Sequence, residues 1–207
     1  MNRKIEGSYR SGAFSGLITT IAAGTNTAGH LWAARWAPAS NDARKFCVIR
    51  RLRATWVTVA GFTAAQEVQL QLFKATAFTA LHNAGGAATV PSTKQRASLM
   101  PAPALAAFIA NSTTAISGST ATLDTDPLAS CSFSELAAAA TVPKGVMALD
   151  FNPDITEGGP LVLEANEGLV LRNGILMGAV GTARVSLEFD WMEVQKYPDQ
   201  FTAHRLV

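Results

Sequence analysis

Residues 182–194 read Thr-Ala-Arg-Val-Ser-Leu-Glu-Phe-Asp-Trp-Met-Glu-Val. Val185, Leu187, Phe189 and Trp191 fall on one side of an extended chain, and Arg184, Ser186, Glu188 and Asp190 fall on the other. Side chains of a β-strand point alternately to opposite faces, so an unbroken period of two specifies a strand with one dry face and one wet face. A strand this long that buries one face calls for an antiparallel sheet packed against a second sheet.

The same period recurs upstream. Within 47–59, Val48, Leu52, Ala54 and Trp56 share one face, with Arg51, Arg53 and Thr55 opposite. Arg50 falls among the apolar set, where an unpaired charge is costly, so it is expected at an edge or in an ion pair. Residues 67–76 place Val68, Leu70 and Leu72 inward and Gln69 and Gln71 outward. Only the short Gly61-Phe62-Thr63 break separates the two runs, which predicts that they pair as antiparallel neighbours. Further strands are read at Leu31–Ala37, stopped by Pro38, and at Pro160–Leu163 and Leu169–Asn173 around the turn Glu164–Gly168.

The remaining segments carry weaker signals. Residues 80–98, rich in Gly, Ala, Asn, Pro and Thr, read as a long loop of the kind that often carries binding. In 99–112 alanine favours a short helix while the spacing also permits a strand, and Ser134-Glu135-Leu136 followed by four alanines predicts a helical turn or two. Residues 1–29, with Ile5, Phe14, Leu17, Ile18 and Ile21 scattered among small polar residues, read as an arm, and 30–207 as one domain. The expected fold is an all-β antiparallel sandwich, jelly-roll-like, with an extended N-terminal arm and one or two short helices. An immunoglobulin-like order is the alternative, because periodicity does not fix strand order.

Composition narrows the function classes. The chain has 207 residues, 48% of them hydrophobic, enough for one sizeable core. Charged residues are 15%, against about 25% in an average soluble domain, so Ala, Thr, Ser and Gly must cover much of the surface, which suits close packing on neighbours. A net charge of +2 is too mild for nucleic-acid binding, and the basic run Arg44, Lys45, Arg50, Arg51, Arg53 reads as solvated or interface charge. Cys47 and Cys131 lack metal-ligand spacing and read as free thiols. The N-terminus has no continuous apolar run, and no window approaches the roughly 20 apolar residues of a membrane span, so a soluble chain with no membrane partner is expected.

No residue pattern points to catalysis. His30, His82 and His204 fall in segments read as loop or terminus and are expected at the surface. Asp124, Asp126, Asp150 and Asp154 raise calcium binding or a glycosidase carboxylate pair, but Asp124-Thr125-Asp126-Pro127 lacks the glycine and terminal glutamate of an EF-hand and reads as turn aspartates. No GxSxG elbow, phosphate loop or GxGxxG cradle occurs. No catalytic, cofactor-binding or metal-binding residue is therefore expected. Trp56 and Trp191 lie on core faces, while Trp32 and Trp36, which share a face, read either as core or as a platform for a sugar or a subunit.

Two stretches carry a resemblance. The run 48–56, Val-Ile-Arg-Arg-Leu-Arg-Ala-Thr-Trp, continuing through Gly61-Phe62-Thr63-Ala64-Ala65-Gln66-Glu67, resembles a group of tailed-bacteriophage structural proteins. So does the run 159–173, Gly-Pro-Leu-Val-Leu-Glu-Ala-Asn-Glu-Gly-Leu-Val-Leu-Arg-Asn, with the ending Trp191-Met192-Glu193-Val194. These segments cover about half of the expected core; the arm and 80–150 carry no match. The resemblance implies a virion component made in the host cytoplasm: a capsid decoration (cement) protein, or a tail or collar protein. It implies a homo-oligomer that contacts other virion proteins such as a major capsid protein, and it brings no catalytic residues or cofactor. Expected subunit or ligand contacts are Phe14, Leu17, Ile18, Trp32, Trp36, Arg51 and Arg53. A carbohydrate-binding sandwich using Trp32, Trp36 or the 80–98 loop, and a hydrolase using the aspartates, are the rival readings.

Overall fold

The computed structural model describes residues 7–18, 22–23, 29–95, 101–111, 114–137, 143–151, 160–178 and 180–195. The chain is all-β. Four strands come first: β1 (Gly7–Phe14), β2 (His30–Trp36), β3 (Phe46–Ala60) and β4 (Gln66–Phe78). Six short ones follow: β5 (Ala84–Gly85), β6 (Ala87–Thr89), β7 (Thr93–Lys94), β8 (Leu105–Ala110), β9 (Ile116–Ser117) and β10 (Ala121–Leu123). The last are β11 (Ala129–Glu135), β12 (Pro143–Asp150), β13 (Leu161–Leu163), β14 (Gly168–Asn173) and β15 (Thr182–Val194).

Two antiparallel sheets pack face to face. The front sheet has the order β12-β3-β15-β1-β7, with β13 also on β3; the back sheet has the order β10-β4-β14-β2-β8-β6, with β11 also on β4. Pairing is nested along the chain: β1 with β15, β2 with β14, β3 with β12 and β4 with β11. Each step from β1 to β4 changes sheet, so β3 and β4 do not pair as the short connection suggests. Both bury one face, and placing them in opposite sheets turns Trp56 and Leu70 into the same interior, which pairing side by side would not require.

The core lies between the sheets. Val185, Leu187, Phe189 and Trp191 of β15 are all inside, as their alternation predicts. Phe189 stacks on Trp191 with ring centroids 4.5 Å apart and meets Trp32 of the back sheet edge-on at 5.2 Å. Along one side the sheets meet where Trp56 packs near Phe133 at 6.0 Å and Cys131 Sγ reaches Val146 O at 3.7 Å. Along the other, Gly16 N donates to Ala110 O at 3.0 Å.

One buried ionic cluster ties the N-terminal strand to this core. Glu193 accepts from Ala104 N and Leu105 N (2.9 and 3.1 Å), Trp191 Nε1 (3.1 Å) and Arg44 Nη1 (2.5 Å). Arg44 also donates to Asp42 and to Tyr9 Oη, and Tyr9 donates to Pro101 O. Burial raises the Glu193 pKa despite these donors, while the Arg44 hydrogen bond holds Asp42 down. Arg44, expected among the solvated cations, is thus a core cross-link.

Several other expectations are corrected. The arm read over 1–29 contains a core strand: β1 pairs with β15 from Gly7↔Glu193 to Phe14↔Ser186, and Tyr9 and Ile18 are fully buried. Its inward residues, Gly7, Tyr9, Ser11 and Ala13, are mostly small or polar, so their period of two leaves almost no hydrophobic trace. No helix occurs among the described residues: 105–110 is β8, and Glu135 ends β11, while 138–142 lie outside the described residues. The 80–98 loop holds β5, β6 and β7. Arg50 does not face the core. The β3–β15 register steps from Asp190↔Arg51 to Trp191↔Ile49, so Arg50 is the extra residue of a β-bulge, and the inward phase changes from Cys47 and Ile49 to Leu52, Ala54 and Trp56.

The short β5–β9 pair, whose β9 strand packs on β2 and β8, lies over the outer side of the back sheet. It closes a second, smaller apolar cluster there, in which Ile116 and Ala121 meet Ala33, Ala75, Phe78 and Val170. The outer side of the front sheet is left uncovered among the described residues.

Candidate assembly face

Three adjacent rows on the outer side of the front sheet are fixed by strand register, between a Met192–Val48–Val162 row at one end and an Arg184–Val57 row at the other. The first is Arg10, Asp190, Arg51, Asp150; the second is Gly12, Glu188, Arg53, Ala148; the third is Phe14, Ser186, Thr55, Val146. Outward alternation on β1, β15, β3 and β12 presents them together, and none is buried. Phe14 is 67% exposed and Val146 47%, both high for large apolar side chains on a sheet face. Phe14, Arg53, Thr55, Val57, Ser186 and Glu188 line a shallow depression of about 200 Å³.

Charge on this face is interleaved. Arg10 Nε lies 3.3 Å from Asp190 Oδ1, which also accepts from Gln95 Nε2 at 3.4 Å. Arg53 and Glu188 are register partners yet form no ion pair, and Arg51 forms none with a described carboxylate. Exposed pairs are worth little to folding, so uncommitted charges in an ordered array are available to a partner surface.

The seven expected contact residues therefore divide. Phe14, Arg51 and Arg53 come together on this face; Leu17, 44% exposed, lies just beyond the end of β1. Ile18, Trp32 and Trp36 are wholly buried and cannot touch a ligand or subunit, which removes the tryptophan sugar platform. Sequence reasoning did not name Val146, Asp150 or Asp190 as contacts, because only register places them beside Arg51 and Arg53.

The histidines are corrected as well. His30 and His82 are buried and touch, Nδ1 to Nε2 at 3.1 Å, and Ser119 Oγ hydrogen-bonds His82 Nδ1. Residues 52 apart leave no sequence signal for such a pair. Burial pushes His30 down to about 3, helped by His82 and Arg172, and pushes His82 down to about 4. The Ser119 contact ties the β9–β10 connection to the histidine pair. His204 lies outside the described residues.

The remaining candidates are scattered. Asp124 and Asp126 sit in the exposed turn after β10, and Asp150 is on the front sheet, so they do not form a carboxylate pair; Asp154 lies outside the described residues. Cys47 is buried, with its thiol pKa raised by desolvation, and Cys131 is half-buried; both are free. Asn166-Glu167-Gly168 is a turn between sheets. Asn166 has φ 69° and accepts from Arg35 Nη2 at 2.5 Å, and Glu167 caps Glu164 N at 2.8 Å and pairs with Lys74 Nζ at 3.1 Å. The chain matches no protein-family model and no curated protein.

Proposed function

We propose that this chain is a non-enzymatic structural protein of a tailed-bacteriophage particle, a head decoration (cement) component that contacts neighbouring subunits through the outer side of its front sheet. One observation carries the reading: Phe14, Arg51 and Arg53, expected at contacts from sequence, share a single uncovered face with exposed Val146 and interleaved carboxylates. A content of charged residues of 15% over the chain fits repeated packing against neighbours. The nested pairing of first with last strands supports reading the sandwich as a jelly roll, an architecture used in capsid and lectin domains. Fold alone does not assign a role, so the virion assignment leans on the sequence resemblance.

The test is composition of particles purified from cells that produce the protein. Mass spectrometry is expected to find the chain in stoichiometric amounts, and Phe14→Asp to reduce its incorporation at least about tenfold, since a buried apolar anchor replaced by a charge loses more than about 1.4 kcal/mol. Particles that lack the chain altogether would overturn the assignment.

A further inference from the structure

We propose that the partner of this face is a second copy of the same chain, docked about a two-fold axis that runs parallel to the strands between β15 and β3. This rests on the assembly reading above and names its first contact. The argument is symmetry of the register. A two-fold in the plane between two such faces keeps each row at its own height and reverses its order. Arg10, Asp190, Arg51, Asp150 then lies over Asp150, Arg51, Asp190, Arg10, so every position meets its opposite charge. In the second row Glu188 meets Arg53 twice, with Gly12 over Ala148. In the third Phe14 meets Val146 and Ser186 meets Thr55, apolar on apolar and hydroxyl on hydroxyl.

All three rows satisfy the one operation, with Arg184 then over Val57. A shift by one row keeps Asp190 over Arg53 and Arg51 over Glu188 but sets Arg10 over Ala148, Asp150 over Gly12 and Glu188 over Thr55, and turns the two-fold into an open screw. Four strands about 4.8 Å apart make a face about 19 Å wide; the eight residues of β1 and of β12 give it about 27 Å of length, so it offers on the order of 500 Å² per copy. That places the pair near the lower limit of specific interfaces, so a reversible dimer in the micromolar range is expected, held by charge and weakened by salt. Packed sheets cross at about 30°, which the same axis allows if each set of strands inclines by about 15° to it. The central Glu188 and Arg53 columns stay opposed under that inclination while the corner pairs separate, so these two residues give the sharpest test.

Sedimentation velocity of the full chain, from micromolar concentration upward, should show a monomer–dimer equilibrium whose Kd rises with sodium chloride. Arg53→Glu and Glu188→Arg each place like charges in both central contacts and should raise Kd at least about tenfold. Mixing the two variants restores opposite charges at both contacts, because one chain is then acidic and the other basic along that row. A heterodimer as tight as wild type is expected, and the double variant Arg53→Glu/Glu188→Arg should dimerise again by itself. Unchanged melting temperatures identify folded variants, as both side chains are exposed. A wild-type monomer throughout the range, a trimer or larger ring, or variants that fail to complement on mixing would overturn the two-fold dimer. If the chain is nevertheless present in purified particles, only the two-fold fails and the assembly reading stands.

Discussion

Asn166-Glu167-Gly168 shows how much one turn asks of single residues. Asn166 holds a left-handed conformation that its amide side chain tolerates, and its oxygen is taken by Arg35. Gly168 opens β14, where a Cβ would run into the carbonyl oxygen of Ala34 on β2 and the ring of Phe78. Backbone cannot step aside inside a paired ladder, so Gly168→Ala is expected to destabilise by about 1–3 kcal/mol, read from the shift in urea midpoint. Asn166→Gly, which keeps the dihedral and loses one exposed hydrogen bond, should cost about 1 kcal/mol or less. Equal losses for the two would contradict this account of the turn.

Among the strands, β3 carries the clearest mechanical feature. Its bulge at Arg50 lets one strand present Cys47 and Ile49 inward on one side of the irregularity and Leu52, Ala54 and Trp56 inward on the other. Deleting Arg50 places Ile49 directly before Arg51, and the in-out alternation continues unbroken. The hydrogen bond from Phe151 N to Arg50 O (2.8 Å) is lost, so the deletion should cost about 1 kcal/mol. Deleting Arg53 instead turns Leu52 outward and sets the upstream half of the strand on the wrong face, and should exceed about 4 kcal/mol or prevent folding. Circular dichroism against urea separates the two; a deletion of Arg50 as damaging as that of Arg53 would refute the bulge. Strand β1 carries the opposite lesson: apart from the fully buried Tyr9 its inward residues are Gly, Ser and Ala, and pairing with β15 along its whole length holds it in the core.

For the molecule as a whole, acid stability is expected to depend on His30 and His82, which with Ser119 join β2 to the connections after β4 and β9. His30 and His82 ionise near 3 and 4 in the folded chain, against 6.5 unfolded. Between these values the unfolded chain binds protons that the folded chain does not, so stability is full above about pH 6.5 and falls as pH drops toward 4 and then 3. The slope is at most about 1.4 kcal/mol per pH unit for each histidine. Glu193 acts in the other direction: its raised pKa makes the folded chain take up a proton above the ordinary 4.5, which favours folding as pH falls through that range. Comparing wild type with His82→Gln isolates the histidine contribution. Urea midpoints should fall from pH 7 to pH 5 in wild type and change less in the variant, and parallel curves would show that the pair does not govern acid stability.

By itself the sequence determined the all-β class, the inward faces of β4 and β15, and the outward side of β3 that carries Arg51 and Arg53. Those properties follow from a period of two, which is local and visible in any run where apolar and polar residues differ strongly. Tertiary structure alone decided that β3 and β4 belong to opposite sheets, that β1 is core, that His30 meets His82, and that Arg10, Asp190, Arg51 and Asp150 form one row. Each of these depends on which distant strand lies alongside and in what register. That choice is made by the packing of two whole faces into one dry interior, an energy shared by residues up to nearly two hundred positions apart, and no short window of sequence contains it.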